Sequence, residues 1–455
     1  MIKKIELLDG KPLEIASHAA LKCYQAENPV MGQMIDVEGR LFKPSHHTTL
    51  QHAKSFFTFS IEGISVGDIT FGLHLCHPFY NSDQRSGRYC AKMFLEPDFF
   101  EIEEYIKGYW PEVSQGKRNL VLDYIKKGVQ LYHQNIPEAT ETAKVMIQQE
   151  RPFASDKYLE ANAPKIAQEQ MRMFIPVIFP TGLDYTINLT ALAAMYRVAW
   201  TPAMKHAISR MVEAVIQKHP ELNFMFLPEN KSQVSWAMKL PNEKFFAIER
   251  YPSHDLISIS GEENFVAIDD GDKHPVDLMH FHPKYMDNST GEIKTKITVS
   301  TATMGQDQRH RTIRRGTPNF TGGFYLAPIL FELKLEKEAQ KYFATWLEIG
   351  KKVPKTLAMV LAPYGAMVSY EKVGSFNAIA HEQGKRLCWC AQEEIYHAGL
   401  FLRQDIKSKC GINSKLLQIF EPPCYRNGKC AEGARYCGRD IKRRKSEGYF
   451  AYRAV

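Results

Sequence analysis

Apolar positions along this chain change period several times, and the changes divide it into elements. After Thr201-Pro202, residues Met204, Ile208, Met211, Val212, Val215 and Ile216 recur at helical spacing, the pattern of one buried stripe. Thr201 suits an N-cap, Pro202 suits the first helical position, and Pro220 ends the run. A helix is also predicted over Ile15–Glu27. Gln51–Ile61 is aromatic and β-rich and reads as a strand ending at Glu62-Gly63, with a helix from Val66 to Leu75 behind it. Residues 96–170 carry helical signals, with Pro137 at a first helical position. An extended segment then runs to Ile187, and Asn188 opens a helix. Beyond Leu222 the pattern turns strand-like: Asn223–Leu227, Phe245–Ile248, Leu256–Ile259 and Phe265–Ile268 are short runs between turn signals. Lys294–Thr303 is a longer alternating strand, and Leu330–Lys351 reads as helix. Val353–Pro363 repeats the proline-ended design of Gln170–Pro176, and Ser375 opens another helix.

The order strand, polar motif, helices, proline-ended turn, paired helices therefore occurs twice, as a weak internal repeat with unequal insertions. It predicts an α+β chain of two tandem units, 1–222 and 223–455, each an antiparallel sheet with packed helices. Hydrophobic content of 44% and charged content of 24% are those of an ordinary globular protein. No run of ~20 apolar residues reads as a membrane span, and Met1-Ile2-Lys3-Lys4 does not open a signal peptide. The nine cysteines are odd in number and irregularly spaced, which argues against a secreted disulfide framework and for the cytoplasm. A formal charge of +7 suits phosphorylated small molecules as readily as nucleic acid.

Candidate chemistry concentrates in Gln306-Asp307-Gln308-Arg309-His310-Arg311-Thr312-Ile313-Arg314-Arg315. Four arginines and a histidine repel one another, and guanidinium forks suit phosphate or carboxylate. A solvated basic turn is the plain alternative. Upstream, Cys76–Tyr89 has a similar central histidine, His77, and ends in Ser86-Gly87-Arg88-Tyr89, which the downstream stretch lacks.

Together these stretches resemble the flavin-dependent thymidylate synthases, over most of both halves. The first half has His52, Ser86-Gly87-Arg88-Tyr89, Arg172 with Pro176, and Asn188. The second has Gln306, Arg309-His310-Arg311, Arg386 and Ala391-Gln392-Glu393-Glu394-Ile395. Neither half carries the whole pattern. Cys76 and Pro78 stand where the family has arginines, Asp83-Gln84 where it has Asn-Glu, Asn319 and Thr321 replace its serine and arginine, and Met359 stands where Arg172 stands. The resemblance implies transfer of a one-carbon unit from methylenetetrahydrofolate to C5 of dUMP, with reduced FAD as hydride source and NADPH recharging it. By the same resemblance His52, Asn188, Arg309, His310 and Arg311 bind the flavin. Gln306, Ser86, Gly87, Arg88, Arg172 and Arg386 bind the nucleotide, and Ser86 and Arg386 are the catalytic pair, Ser86 by polarisation rather than attack. A homodimer shaped as a pseudo-tetramer follows, its composite sites shared by the two halves. The alternatives are another C5 modification such as hydroxymethylation, which the change at Gln84 raises, and a homologue that binds without catalysis.

No metal site is assigned. Cys410, Cys424, Cys430 and Cys437 could hold zinc, but paired spacing is absent, and a cysteine-containing loop is the other reading. Cys388 and Cys390 read as core around Trp389, and His46-His47 and His280–His282 as ordinary surface or core histidines. Arg439–Lys445 reads as a solvated basic segment. No aromatic-interleaved platform for nucleic acid is visible, and neither nucleic acid nor membrane is expected as a partner.

Overall fold

The computed structural model describes residues 8, 10–25, 29–43, 56–75, 80–85, 92–231, 238–241, 246–261, 265–266, 283–411, 416–422, 424–425, 428, 430, 436–441 and 451–455. His46, His47, His52, Cys76–Phe79, Ser86–Tyr89 and His280–His282 lie outside them. The chain packs as two compact units, and their division does not run along the sequence at residue 222. One unit is Met1–Arg85 with Pro180–Ala237; the other is Ser86–Phe179 with Met238–Val455.

In the smaller unit three antiparallel strands, β1 (Phe57–Ser65), β2 (Tyr80–Gln84) and β3 (Pro180–Ile187), stand in the order β1-β3-β2. The strand runs past Gly63, where the pairing is irregular and φ is +78°. Glycine meets that backbone at no steric cost. Ser65 then caps the turn behind β1, accepting from Asp68 N at 2.9 Å, and the backbone stays helical to Leu73. The helix Pro202–Lys218 is the one the period predicts, with Thr201 Oγ1 accepting from Met204 N at 3.0 Å. Its buried face is Met204, Ile208, Met211, Val212 and Val215. Asn223–Leu227 is not a strand. Pro220–Phe226 is a 3₁₀ helix that buries Leu222 and Met225, one turn apart on the same face, and Phe226 beside them.

The larger unit holds β4 (Ala247–Glu249), β5 (Ser253–Ser260), β6 (Glu292–Ser300), β7 (Arg314–Arg315), β8 (Asn319–Tyr325) and β9 (Ala366–Ser375). Their order is β4-β8-β9-β6-β5, with β7 also on β9. The sheet is antiparallel except at its edge, where β4 runs parallel to β8. β6 stops at Ser300, earlier than predicted, because the Ser300 side chain accepts from Thr303 N at 3.2 Å and starts the helix Thr301–Asp307. Phe265-Val266 is not strand either; Val266 bonds through both its N–H and C=O to the side chain of Asn288. The predicted helix 330–351 is two, Pro328–Glu332 and Glu336–Gly350, broken at Lys334, which has φ +58°. Pro137 is not a first helical residue: it lies inside the 36-residue helix Gln115–Glu150. Val129, Leu131 and Tyr132 before it and Ala139, Ala143 and Ile147 after it are buried, and burial on both sides outweighs the lost hydrogen bond.

One local plan occurs twice. β1 pairs with β3 so that Ser65 faces Pro180, and β6 pairs with β9 so that Ser300 faces Met367. Each of those partners lies four residues beyond a proline, Pro176 or Pro363, and each of β3 and β9 leads into a capped helix. Asn188 and Ser375 are the caps, accepting from Ala191 N at 2.8 Å and Ala378 N at 3.2 Å. Within the larger unit the two proline segments pair with each other. Pro176 bridges Pro363, Val177 N donates to Ala362 O at 2.9 Å, and Tyr364 N donates to Ile175 O at 2.8 Å. Exchanging the two segments reproduces the same bonds.

Candidate functional site

The pairing of the proline segments brings a residue of the first half into the polar centre of the second. Arg172, 5% exposed, follows the helix Asp156–Met171 and opens the 3₁₀ turn Arg172–Phe174 before Pro176. Its guanidinium lies over the Tyr364 ring at 5.1 Å and donates through Nη2 to Gln392 Oε1 at 3.2 Å. That same oxygen accepts from Gln306 Nε2. Arg386, at the C-terminal end of the helix Phe376–Arg386, donates to the backbone oxygen of Gln306 at 2.5 Å. Arg172, Gln306, Gln392 and Arg386 thus form one chain of hydrogen bonds. It leaves ends unspent: Arg172 Nε, Gln306 Oε1 and Gln392 Nε2 are buried with no hydrogen-bond partner among the described residues. Orphaned polar atoms at this density are costly unless a ligand meets them.

The basic cluster divides by role. Arg315 is an internal strut: its Nε donates to Asp307 Oδ2 at 2.5 Å and its Nη1 to the carbonyls of His310 and Ile313 at 2.9 and 2.8 Å. Arg314 pairs with Glu292 at the surface, 2.8 Å away. Two of the four arginines therefore need no outside anion, contrary to the expectation for the whole stretch; the acid inside it, Asp307, answers one of them. Asp307 is fully buried and also accepts from Lys372 Nζ at 2.5 Å and Tyr370 OH at 2.9 Å. Lys372 in turn reaches Glu382 at 2.6 Å. Burial alone would raise the Asp307 carboxyl, but Arg315 and Lys372 outweigh it and hold the group well below the usual carboxylate range. This network ties the loop after Gln306 to β9 and to the helix that ends in Arg386.

On that frame Arg309 and Arg311 are half-buried and His310 is buried, its ring edge-on to His381 at 5.3 Å. Burial, then Arg386 and His381, holds the His310 imidazole well below the ordinary histidine range, so it is neutral at pH 7 and can both donate and accept. Behind the site, Glu394 accepts from Ser300 N at 2.6 Å, Ser300 Oγ at 2.5 Å and Thr303 Oγ1 at 2.6 Å. Burial lifts it to about 7 despite those bonds. Glu393, accepting from Tyr325 OH at 3.1 Å, is lifted to about 8 by burial and by Glu169 and Glu394. Glu393 stays largely uncharged near neutrality and Glu394 is only partly charged, which leaves the arginines dominant there.

Of the residues singled out from sequence, Gln306, Arg172, Arg386, Arg309, His310 and Arg311 all lie in the larger unit. Asn188 lies in the smaller one, where its side-chain oxygen is spent on capping and on Thr190 Oγ1 at 3.1 Å. His52, Ser86, Gly87 and Arg88 fall outside the described residues. Gln392 was not assigned a role from sequence, although it stands in the quoted Ala391–Ile395 motif; the signal was the motif itself. Tyr364, under Arg172, had no local signal at all. Cys388 and Cys390 are not core: Cys388 is half-buried and Cys390 exposed. Arg439, expected in solvent, is 9% exposed and lies over Trp389 at 4.2 Å.

Among the described residues no helix is long and apolar enough to cross a membrane. No curated protein matches the chain. The model of one family does: residues 6–221 match thymidylate synthase complementing protein, so that stretch, Arg172 included, is a domain of that family.

Proposed function

We propose that the protein is a flavin-dependent thymidylate synthase-like enzyme built from two tandem copies of the family unit, the second too diverged for the family match to extend past residue 221. The observation that carries this is the hydrogen-bond chain from Arg172, inside the matched stretch, through Gln392 to Gln306 and Arg386 beyond it. The twofold recurrence of strand, serine cap, proline bridge and capped helix supports the duplication, and Met359 in place of Arg172 fits complementary loss between copies. Each copy then drops groups that the other still supplies.

The residues present fit an anionic, hydrogen-bonding heterocycle. Arg172 Nε and Gln392 Nε2 offer donors, Gln306 Oε1 offers an acceptor, and Arg386, Arg309 and Arg311 supply positive charge. Bound FAD would supply the hydride chemistry. The chain's own groups bind, orient and exclude water: Arg309, neutral His310 and Arg311 hold the flavin, Arg172 holds the 5′-phosphate of the nucleotide and Arg386 its uracil, and Gln306 and Gln392 fix the spacing between them. Ser86 and Arg88 complete the nucleotide side. NADPH and methylenetetrahydrofolate are the co-substrates, dUMP the acceptor.

A flavin spectrum of the purified protein tests the reading, and Arg309→Ala should lose most of that flavin. Removing one charge-assisted bond with Arg172→Ala should cost ~1.5–3 kcal/mol in dUMP binding. Binding of deoxyuridine should change far less. A protein that binds no flavin under any loading condition overturns the enzyme reading; equal losses for dUMP and deoxyuridine overturn the phosphate role of Arg172.

A further inference from the structure

The C-terminal cysteines form a cluster different from the one their order along the chain suggests. Cys410 ends the helix Glu393–Cys410 and packs against the apolar group around Phe376 and Leu402. In its place Cys388 and Cys390, from the turn between two helices, join Cys424, Cys430 and Cys437. All five line one cavity of about 20 Å³, a space for a single water- or ion-sized body.

Both walls of that cavity are fixed. Ala391 N donates to Cys388 O at 3.0 Å and holds the turn. Opposite, Phe153 N donates to Gly438 O at 2.9 Å, and Gly438, at φ +80°, leaves no room for a side chain against Ala154. Gly428 N closes on Cys424 O at 3.1 Å. The apolar packing here is slight: Leu387, Trp389, Tyr396, Leu400 and Cys437, with Tyr436 beside them. A segment with so small a core gains most from a cross-link. Three buried guanidiniums, Arg439, Arg151 and Arg453, stand 4.2, 5.9 and 5.9 Å from the ring of Trp389, which lies between Cys388 and Cys390 in the chain, and Arg439 also lines the cavity. Four thiolates around one divalent ion carry a net charge of about −2, which three buried arginines answer.

We propose that this cluster is a structural site for one zinc-class divalent cation, held by Cys388, Cys424, Cys430 and Cys437, with Cys390 in the same cavity wall. Among the described residues no three such groups stand in ligating geometry; binding turns the thiols inward and displaces their protons. Neither the flavin nor the nucleotide reading is needed for it.

The test is metal content of the untagged full-length protein, purified with reductant from zinc-supplemented medium. One zinc per chain is expected, unchanged in Cys410→Ser and reduced more than tenfold in Cys437→Ser. Because Cys437→Ser could fail to fold, a second readout uses the wild type. Titration with a mercurial thiol reagent should release the zinc to a chromogenic chelator as four thiols react, and the cobalt-loaded protein should show sulfur-to-cobalt charge transfer with tetrahedral visible bands. A metal-free protein with reduced thiols, a Cys390–Cys437 disulfide in place of metal, or equal metal loss in Cys410→Ser overturns the proposal.

Discussion

Asp307 illustrates at the residue scale how a carboxylate pays for full burial: Arg315 and Lys372 both close on it, and Tyr370 fills the remaining acceptor position. Removing the charge with Asp307→Asn strands two buried cations and should cost ~3–5 kcal/mol; a shift in the urea unfolding free energy under ~1 kcal/mol would count against the network. Its pKa is depressed on folding, so its stabilisation is present above the unfolded carboxylate value and is lost as pH falls through the folded one. Glu393 has the opposite sign. Its folded value, about 8, lies above the unfolded one. Its contribution is therefore full below the unfolded pKa, ~4.3, and is lost as pH rises toward 8. Relative to Glu393→Gln, the wild type should lose up to ~1.4 kcal/mol per pH unit between about 5 and 8. Parallel pH–stability curves for the two proteins would refute that assignment.

At the scale of elements, caps and close approaches set the positions that matter. Thr201→Ala removes the acceptor for Met204 N and should cost ~1 kcal/mol, measurable in thermal unfolding, while Thr201→Ser should not. Gly128 sits in the long helix where a Cβ would stand 2.4 Å from Phe174 O and 2.3 Å from Tyr342 OH. Gly128→Ala, although favourable for an isolated helix, should therefore destabilise by ~1–3 kcal/mol through overpacking. Stabilisation would mean that the backbone just after Arg172, at Phe174, can yield. That backbone carries Arg172 toward Gln392, so the same variant should weaken nucleotide binding as well.

For the molecule as a whole, complementary halves have a stoichiometric consequence. If Arg309–Arg311 come only from the second half and Ser86–Arg88 only from the first, complete sites form only where the two kinds of half meet. A homodimer of pseudo-tetrameric plan, with about two flavins per dimer, is the expected assembly, since closed two-fold assemblies are the commonest. Sedimentation combined with flavin titration decides it: a stable monomer, or four equivalent flavins per dimer, excludes shared sites and leaves the family assignment untouched. Halves expressed separately should be inactive and regain activity on mixing.

Local chemistry alone settled part of this protein. The helix after Thr201 follows from a 3.6-residue apolar period between a side-chain cap and a proline, and β6 from alternation along one strand, because neighbours in sequence make those bonds. The paired proline segments and the Arg-His-Arg stretch were equally legible, each being a short run of residue types. Burial and partners at long range were not. Arg315 and Arg309 look alike in the chain, yet Arg315 is spent on Asp307, and Lys372, 65 residues from Asp307, completes that site. Cys388 joins Cys437 rather than the core, Pro137 rides inside a helix packed on both sides, and residues 86–179 leave their neighbours for the C-terminal unit. Those outcomes depend on which surfaces exclude water together, and contacts between distant segments, which no sequence window contains, decide that.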